Sequence, residues 1–159
     1  MKKKLEDRLY KRFPLIFRQR DLSCQETTMC WGICCEDGWY EIINLVCVMI
    51  DRVNKDWLKT THIEAAQVKQ KFGELRYYFE MRPNDKTKKI EEDEATPDQA
   101  YFYVEGVVGL AAEMSRRTCE VCGATEKVKL RGKQWVQTLC DKHWEEVLEG
   151  NKKRREESS

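Results

Sequence analysis

Residues 119–143 read CEVCGATEKVKLRGKQWVQTLCDKH, placing Cys119, Cys122, Cys140 and His143 in a C-x2-C-x17-C-x2-H pattern. Two close pairs of thiolate or imidazole donors, separated by a gap of this size, suit a tetrahedral Zn²⁺ in a zinc ribbon or treble clef. The intervening residues support that expectation. Gly123, directly after Cys122, suits a knuckle turn whose backbone N–H groups face the thiolates. Residues 128–130 and 135–138 alternate like short strands, with Arg131, Gly132 and Lys133 as the turn between them. Cys140 and His143 stand three apart where a helical run, Asp141 to Leu148, begins, so its first turn presents both on one face. Knuckle, hairpin and ligand-bearing helix in this order predict a treble-clef-like module with one structural Zn²⁺ per chain. Four protein ligands leave no coordination position for water or substrate, which argues against a zinc hydrolase.

With 159 residues the chain can form one ordinary domain, or one domain carrying a small metal-held module. Its 41% apolar content supplies a core, and its 36% charged content a heavily solvated surface. The formal net charge of +1 gives no global case for binding nucleic acid or membrane. Basic residues nonetheless gather near the N-terminus and around the 119–143 stretch, while Glu91, Glu92, Asp93 and Glu94 form an acidic run. Met1-Lys2-Lys3-Lys4 is followed by Leu5-Glu6-Asp7-Arg8 rather than an apolar stretch, so no secretion signal is read. The apolar run over 42–50 is interrupted by Asn44 and is too short to span a bilayer. Eight cysteines without a secretion signal predict reduced thiols and metal binding in a cytoplasmic protein.

Leu5, Leu9, Tyr10 and Phe13 recur at helical spacing up to Pro14 and predict a short opening helix. Residues 18–37 read as loop. Asp37-Gly38 starts a helix whose Trp39, Ile42, Ile43, Val46, Ile50, Val53 and Trp57 cover most of its circumference, as in a buried central helix. Residues 63–81 alternate as a hairpin about a Lys71-Phe72-Gly73-Glu74 turn, with Phe72 and Trp39 expected to anchor sheet to helix. Residues 82–97, rich in charge with Pro83 and Pro97, read as an exposed mobile loop. A third helix follows, capped by Asp98 and reaching about Arg117. Its expected core face includes Tyr101, Phe102, Val104, Leu110 and Met114, with Gly106 and Gly109 allowing close packing. The fold class is therefore α+β, two long helices on a small antiparallel sheet. The divisions are a core over 1–117, a zinc module over 118–150 docked rigidly on it, and a flexible tail over 151–159.

Three motifs, Cys30-Trp31-Gly32, Asp37-Gly38-Trp39-Tyr40 and Lys71-Phe72-Gly73-Glu74-Leu75-Arg76, carry a resemblance over most of the chain. With the C-terminal ligand pairs, they resemble a set of small proteins often found in bacteriophage genomes. Those proteins share a CWG…DGW entry to a helix, a KFGxLR hairpin and a C-terminal CxxC…CxxH or CxxC module. The resemblance implies a phage or prophage origin and a unitary fold, with the host cytoplasm as location, and brings no catalytic residues.

Other constellations are weaker. Cys24, Cys30, Cys34 and Cys35 invite a second metal site or a redox pair, but their irregular spacing favours buried packing thiols, as for Cys47. With His143 assigned to metal, only His62 is left for acid–base work, and no catalytic motif accompanies it. The chain therefore reads as a binding protein and not an enzyme. Its leading function is a phage-type accessory protein that binds and inhibits a host defence or regulatory protein. A nucleic-acid-binding alternative uses Lys127, Lys129, Arg131, Lys133 and Trp135, where cations flank an aromatic, with Arg116, Arg117 and Lys142 extending the patch. On that reading Trp135 contacts the ligand; otherwise it caps the metal site. A third reading, capture of a small anionic or nucleotide signal, draws on Arg76 and Tyr78.

Overall fold

Helix α1, Lys3–Arg12, forms where the apolar spacing predicts it and buries Leu9 and Tyr10. The computed structural model describes residues 1–84 and 97–157. The loop expected over 82–97 falls mainly on 85–96, outside the described residues. After α1 the chain makes two single-turn 3-10 segments, Arg18–Asp21 and Thr28–Trp31, then the two-residue strand β1, Ile33–Cys34. A 3-10 turn over Asp37–Trp39 leads into α2, Tyr40–Asp56, which buries Ile42, Ile43, Val46, Cys47, Ile50 and Val53. Strands β2, Thr61–Lys71, and β3, Glu74–Pro83, form the expected hairpin. Helix α3 spans Pro97–Ser115, β4 Val128–Arg131, β5 Gln137–Cys140 and α4 Asp141–Glu157.

The α+β class holds, with two additions. The main sheet has order β1-β2-β3, and β1 pairs parallel to β2, Ile33 opposite Val68, so the sheet is mixed rather than antiparallel. The remaining β2 edge is met by the N-terminal segment. The Ile16 carbonyl accepts from the Ala65 amide at 2.8 Å, and the Thr28 hydroxyl donates to the Ala66 carbonyl at 2.7 Å. These contacts sit at the register shift between Ala65 and Gln67 and satisfy groups that a bare edge would leave open. At the other end of the hairpin, Phe72 and Gly73 both take positive φ, 56° and 76°. That pairing is the tight turn matching strand twist, and it favours glycine at the second position.

Helices α2 and α3 run antiparallel. Trp57 stacks on Tyr103 at 4.8 Å at one end, and at the other the Trp39 indole donates to the Thr118 carbonyl at 2.9 Å. One continuous core joins α1, α2, α3 and the main sheet through Leu9, Phe17, Trp39, Ile43, Ile63 and Val104. Several expectations change. Phe72 is exposed at the turn and anchors nothing, whereas Trp39 is fully buried. On α3 the buried residues are Ala100, Val104, Ala111 and Ser115, while Phe102 and Leu110 face outward. Among the described residues, none lies within 4 Å of where a side-chain carbon would stand at Gly106 or Gly109. Asp98 lies inside the first turn of α3 rather than before it. Helix α4 continues to Glu157, through most of the segment expected as a tail.

Candidate metal centre

The C-terminal hairpin β4–β5 is antiparallel, with Val128 opposite Cys140 and Arg131 opposite Gln137. It brings the end of β5 to the knuckle formed by residues 119–123. There the Cys119 amide donates to the Ala124 carbonyl at 2.7 Å, and Gly123, at φ 78°, returns its amide to the Cys119 carbonyl at 2.8 Å. Cys140 ends β5 and His143 lies one turn later, in α4. The donor atoms of Cys119, Cys122, Cys140 and His143 all fall within 4.8 Å of one another. The His143 Nδ1 is 3.5 Å from Cys119 Sγ and 3.2 Å from Cys140 Sγ, and Cys122 Sγ is 4.0 Å from Cys140 Sγ. Tetrahedral Zn²⁺ with ordinary bond lengths requires edges of about 3.6–3.8 Å, close to these separations. The four residues therefore form a group able to hold a metal ion such as zinc. Among the described residues no other set of three or more metal-type side chains converges in this way.

The electrostatics suit a cation. Burial pushes the Cys119 thiol up, but backbone N–H groups of Cys140, Cys122 and Val121 point at its sulfur and bring it below its ordinary value. Burial together with the neighbouring sulfurs of Cys119 and Cys140 raises Cys122. A cation held by these side chains would offset the mutual repulsion of their thiolates. Glu146 Oε2 lies 3.9 Å from His143 Nε2, one helical turn on, where an outer-shell carboxylate would orient the ring.

The metal knuckle is built against the core by the motifs that mark the sequence. The Gly38 amide donates to the Glu120 carbonyl at 2.7 Å, and the Glu36 amide to Glu120 Oε1 at 3.3 Å. The Gly73 carbonyl accepts from the Thr138 hydroxyl, and the Gln70 side-chain Nε2 donates to the Val136 carbonyl at 2.5 Å. Glu74 holds both Arg76, at 2.9 Å, and Arg116, at 2.7 Å, while the Leu75 amide donates to Ser115 Oγ at 2.9 Å. The DGW turn and the KFGEL hairpin are thus docking points for the module, a role with no local signature because the partners lie far along the chain.

The remaining candidates divide. Arg76 pairs with Glu74 at 2.9 Å, and Arg76 and Tyr78 both line a groove between β3 and α3 that Glu74, Glu105 and Glu113 also border. Arg131 is paired with Asp141 and stacks near Trp144, while Lys127, Lys129 and Lys133 are exposed. Trp135 is 71% exposed and does not cap the metal group, which is packed instead by Val121, Val128, Trp144 and Val147. Arg116 is drawn away from any basic patch by Glu74 and Glu113. At the other end, Cys24 and Cys30 form a disulfide, which replaces the expected reduced packing pair. Cys34 is an exposed thiol, and Cys35 is buried with its thiol pushed up to about 12. Sequence reading missed a second polar centre. Glu64 is buried and receives Arg18 Nε at 3.1 Å, Gln19 Nε2 at 2.9 Å and Arg82 Nε at 3.3 Å, with His62 Nε2 at 3.6 Å. His62 is turned by Asn84, whose amide donates to the Lys59 carbonyl and whose Oδ1 sits 2.8 Å from Nδ1.

No helix among the described residues is long and apolar enough to cross a membrane. Comparisons with protein-family models, curated proteins and solved structures give no match to this chain.

Proposed function

We propose that this chain is a phage-type accessory protein that binds a host defence or regulatory protein and thereby inhibits it, with one structural Zn²⁺ holding a treble-clef-like module. The donor set of three cysteines and one histidine, at near-tetrahedral separations, supports zinc. A shell filled by four protein ligands gives the ion a shaping role and no catalytic one.

The observation that carries the binding reading is a groove of about 1050 Å³ between the β4–β5 hairpin and α4. Leu139, Trp144 and Val147 form its floor and the exposed Leu130, Trp135 and Leu148 its walls, and among the described residues no acidic side chain lines it. Apolar walls with an exposed tryptophan and cationic neighbours are the composition of a protein interface centre, where Trp and Arg are enriched. The second reading, a nucleic-acid surface, rests on Lys127, Lys129, Lys133 and Trp135 being exposed together on this hairpin. The apolar floor favours the first. The small-anion reading has no comparable support, since Glu74 already neutralises Arg76.

Tagged wild-type protein and a Trp135→Ala, Leu148→Glu variant are compared on nuclease-treated host lysate. Wild type retains one protein partner at physiological salt, and the variant loses it while keeping its metal and melting temperature. Retention that disappears on nuclease treatment, with a salt slope that falls by about one for each of Lys129 and Lys133 changed to Glu, establishes the nucleic-acid reading instead.

A further inference from the structure

The outer face of α3 has no function in the arrangement above. Its buried residues, Ala100, Val104, Ala111 and Ser115, recur on one side of the helix. The side opposite them carries Asp98, Phe102, Gly106, Gly109 and Glu113, flanked by Leu110. Phe102 is 68% and Leu110 63% exposed, so α3 presents large apolar side chains to solvent as well as to the core. Large apolar side chains exposed beside charged ones are the composition of a surface that a partner covers.

The two glycines sharpen this. Among the described residues a methyl group added at Gly106 or Gly109 would meet nothing within 4 Å, so contacts among them give no reason for either glycine. Each costs about 1 kcal/mol of helix propensity relative to alanine. Glycine on an exposed helical stripe permits a second backbone to approach closely. The pattern is also self-complementary. If a second α3 lies antiparallel, with Gly106 of each copy over Gly109 of the other, Asp98 of each copy meets Arg117 of the other, in the turn that closes α3. Phe102 then enters the hollow above Gly109 beside Leu110, and the helix dipoles oppose. A parallel arrangement would instead set Asp98 against Asp98 and Phe102 against Phe102.

We infer that the outer face of α3 seats a second copy of this chain, forming a two-fold dimer in which the α3 helices cross antiparallel at Gly106 and Gly109. This does not depend on the identity of the metal or of any host partner.

Sedimentation equilibrium on the metal-loaded full chain tests it. Wild type shows a concentration-dependent monomer–dimer equilibrium. Gly106→Leu fills the notch in open space, so it leaves the monomer at least as stable and abolishes the dimer. Arg117→Asp alone weakens dimerisation by about tenfold, as two small surface charge pairs turn repulsive, and Asp98→Arg added to it restores the wild-type constant. A wild-type chain that stays monomeric at all concentrations overturns the proposal. So does a dimer that Gly106→Leu leaves intact, or a loss on Arg117→Asp that Asp98→Arg fails to recover.

Discussion

At Gly38 a missing side chain decides whether the metal knuckle meets the core. A methyl group there would lie closer than 3.0 Å to the carbonyl oxygens of Cys119 and Glu120 and to the Gly123 nitrogen, all backbone atoms fixed by the knuckle. Gly38→Ala should therefore destabilise the protein by about 1–3 kcal/mol, the usual range for overpacking, while leaving the four metal ligands chemically unchanged. Denaturant unfolding of the metal-loaded variant measures this, and wild-type stability would count against the docking described. The sequence reading of Asp37-Gly38-Trp39 as a helix start was right, since a 3-10 turn feeds α2 there. It missed why this residue is glycine and why the next is tryptophan. Gly38 bonds to Glu120 and Trp39 to Thr118, partners roughly 80 residues away that no local pattern announces. Phe72 failed for the opposite reason. A turn tip can expose a large side chain, and it is the adjacent Gly73, not Phe72, that meets the β4–β5 hairpin, through Thr138.

Among the elements, β2 carries the main polar commitment of the core. Burial pushes the Glu64 carboxyl up, but hydrogen bonds from Gln19 and Arg18, with the charges of Arg18 and His62, outweigh it and hold Glu64 below its ordinary value of 4.5. A folded pKa below the unfolded one means that the unfolded chain binds more protons between the two. The stabilisation is thus complete above pH 4.5 and is lost as pH falls through the folded value. Denaturant melts from pH 7 downward should show an acid limb beginning below 4.5, and Glu64→Gln should make that limb shallower. At neutral pH the same variant should cost on the order of 2 kcal/mol, the scale of charge-assisted hydrogen bonds. An unchanged acid limb would show that Glu64 is not the group responsible. Elements with strong periodicity, α1, α2 and the β2–β3 hairpin, were legible in the sequence because burial imposes their spacing. Strand β1 was not, since two residues carry no period. Helix α4 was read as too short because Gly150 and the charges after it look like a tail, although pairs such as Lys142 with Glu146 support a solvated helix. Phe102 and Leu110 on α3 were misassigned to the core because, as side chains, they are as apolar as the residues that face inward.

For the molecule as a whole, the metal group is part of the main fold rather than an appendage. Contacts at Glu36, Gly38, Trp39, Gln70 and Gly73 join the module to the helical entry and the main hairpin. The group of Cys119, Cys122, Cys140 and His143, able to hold a metal ion, was legible from spacing, because tetrahedral coordination calls for paired donors. The integration was not, because it rests on single hydrogen bonds across long sequence separations. A structural Zn²⁺ is worth about 10–16 kcal/mol in zinc-finger peptides, so if the proposed zinc is bound here, its removal should be felt beyond residues 119–143. Native mass spectrometry of the purified chain, followed by chelation and hydrogen exchange, tests this most directly. The account predicts one zinc ion per chain, lost in Cys119→Ser, and chelation that exposes not only the β4–β5 amides but also those around Gly38 and Gly73. A folded chain that carries no metal, or one whose hydrogen exchange is the same with and without chelator, would contradict it.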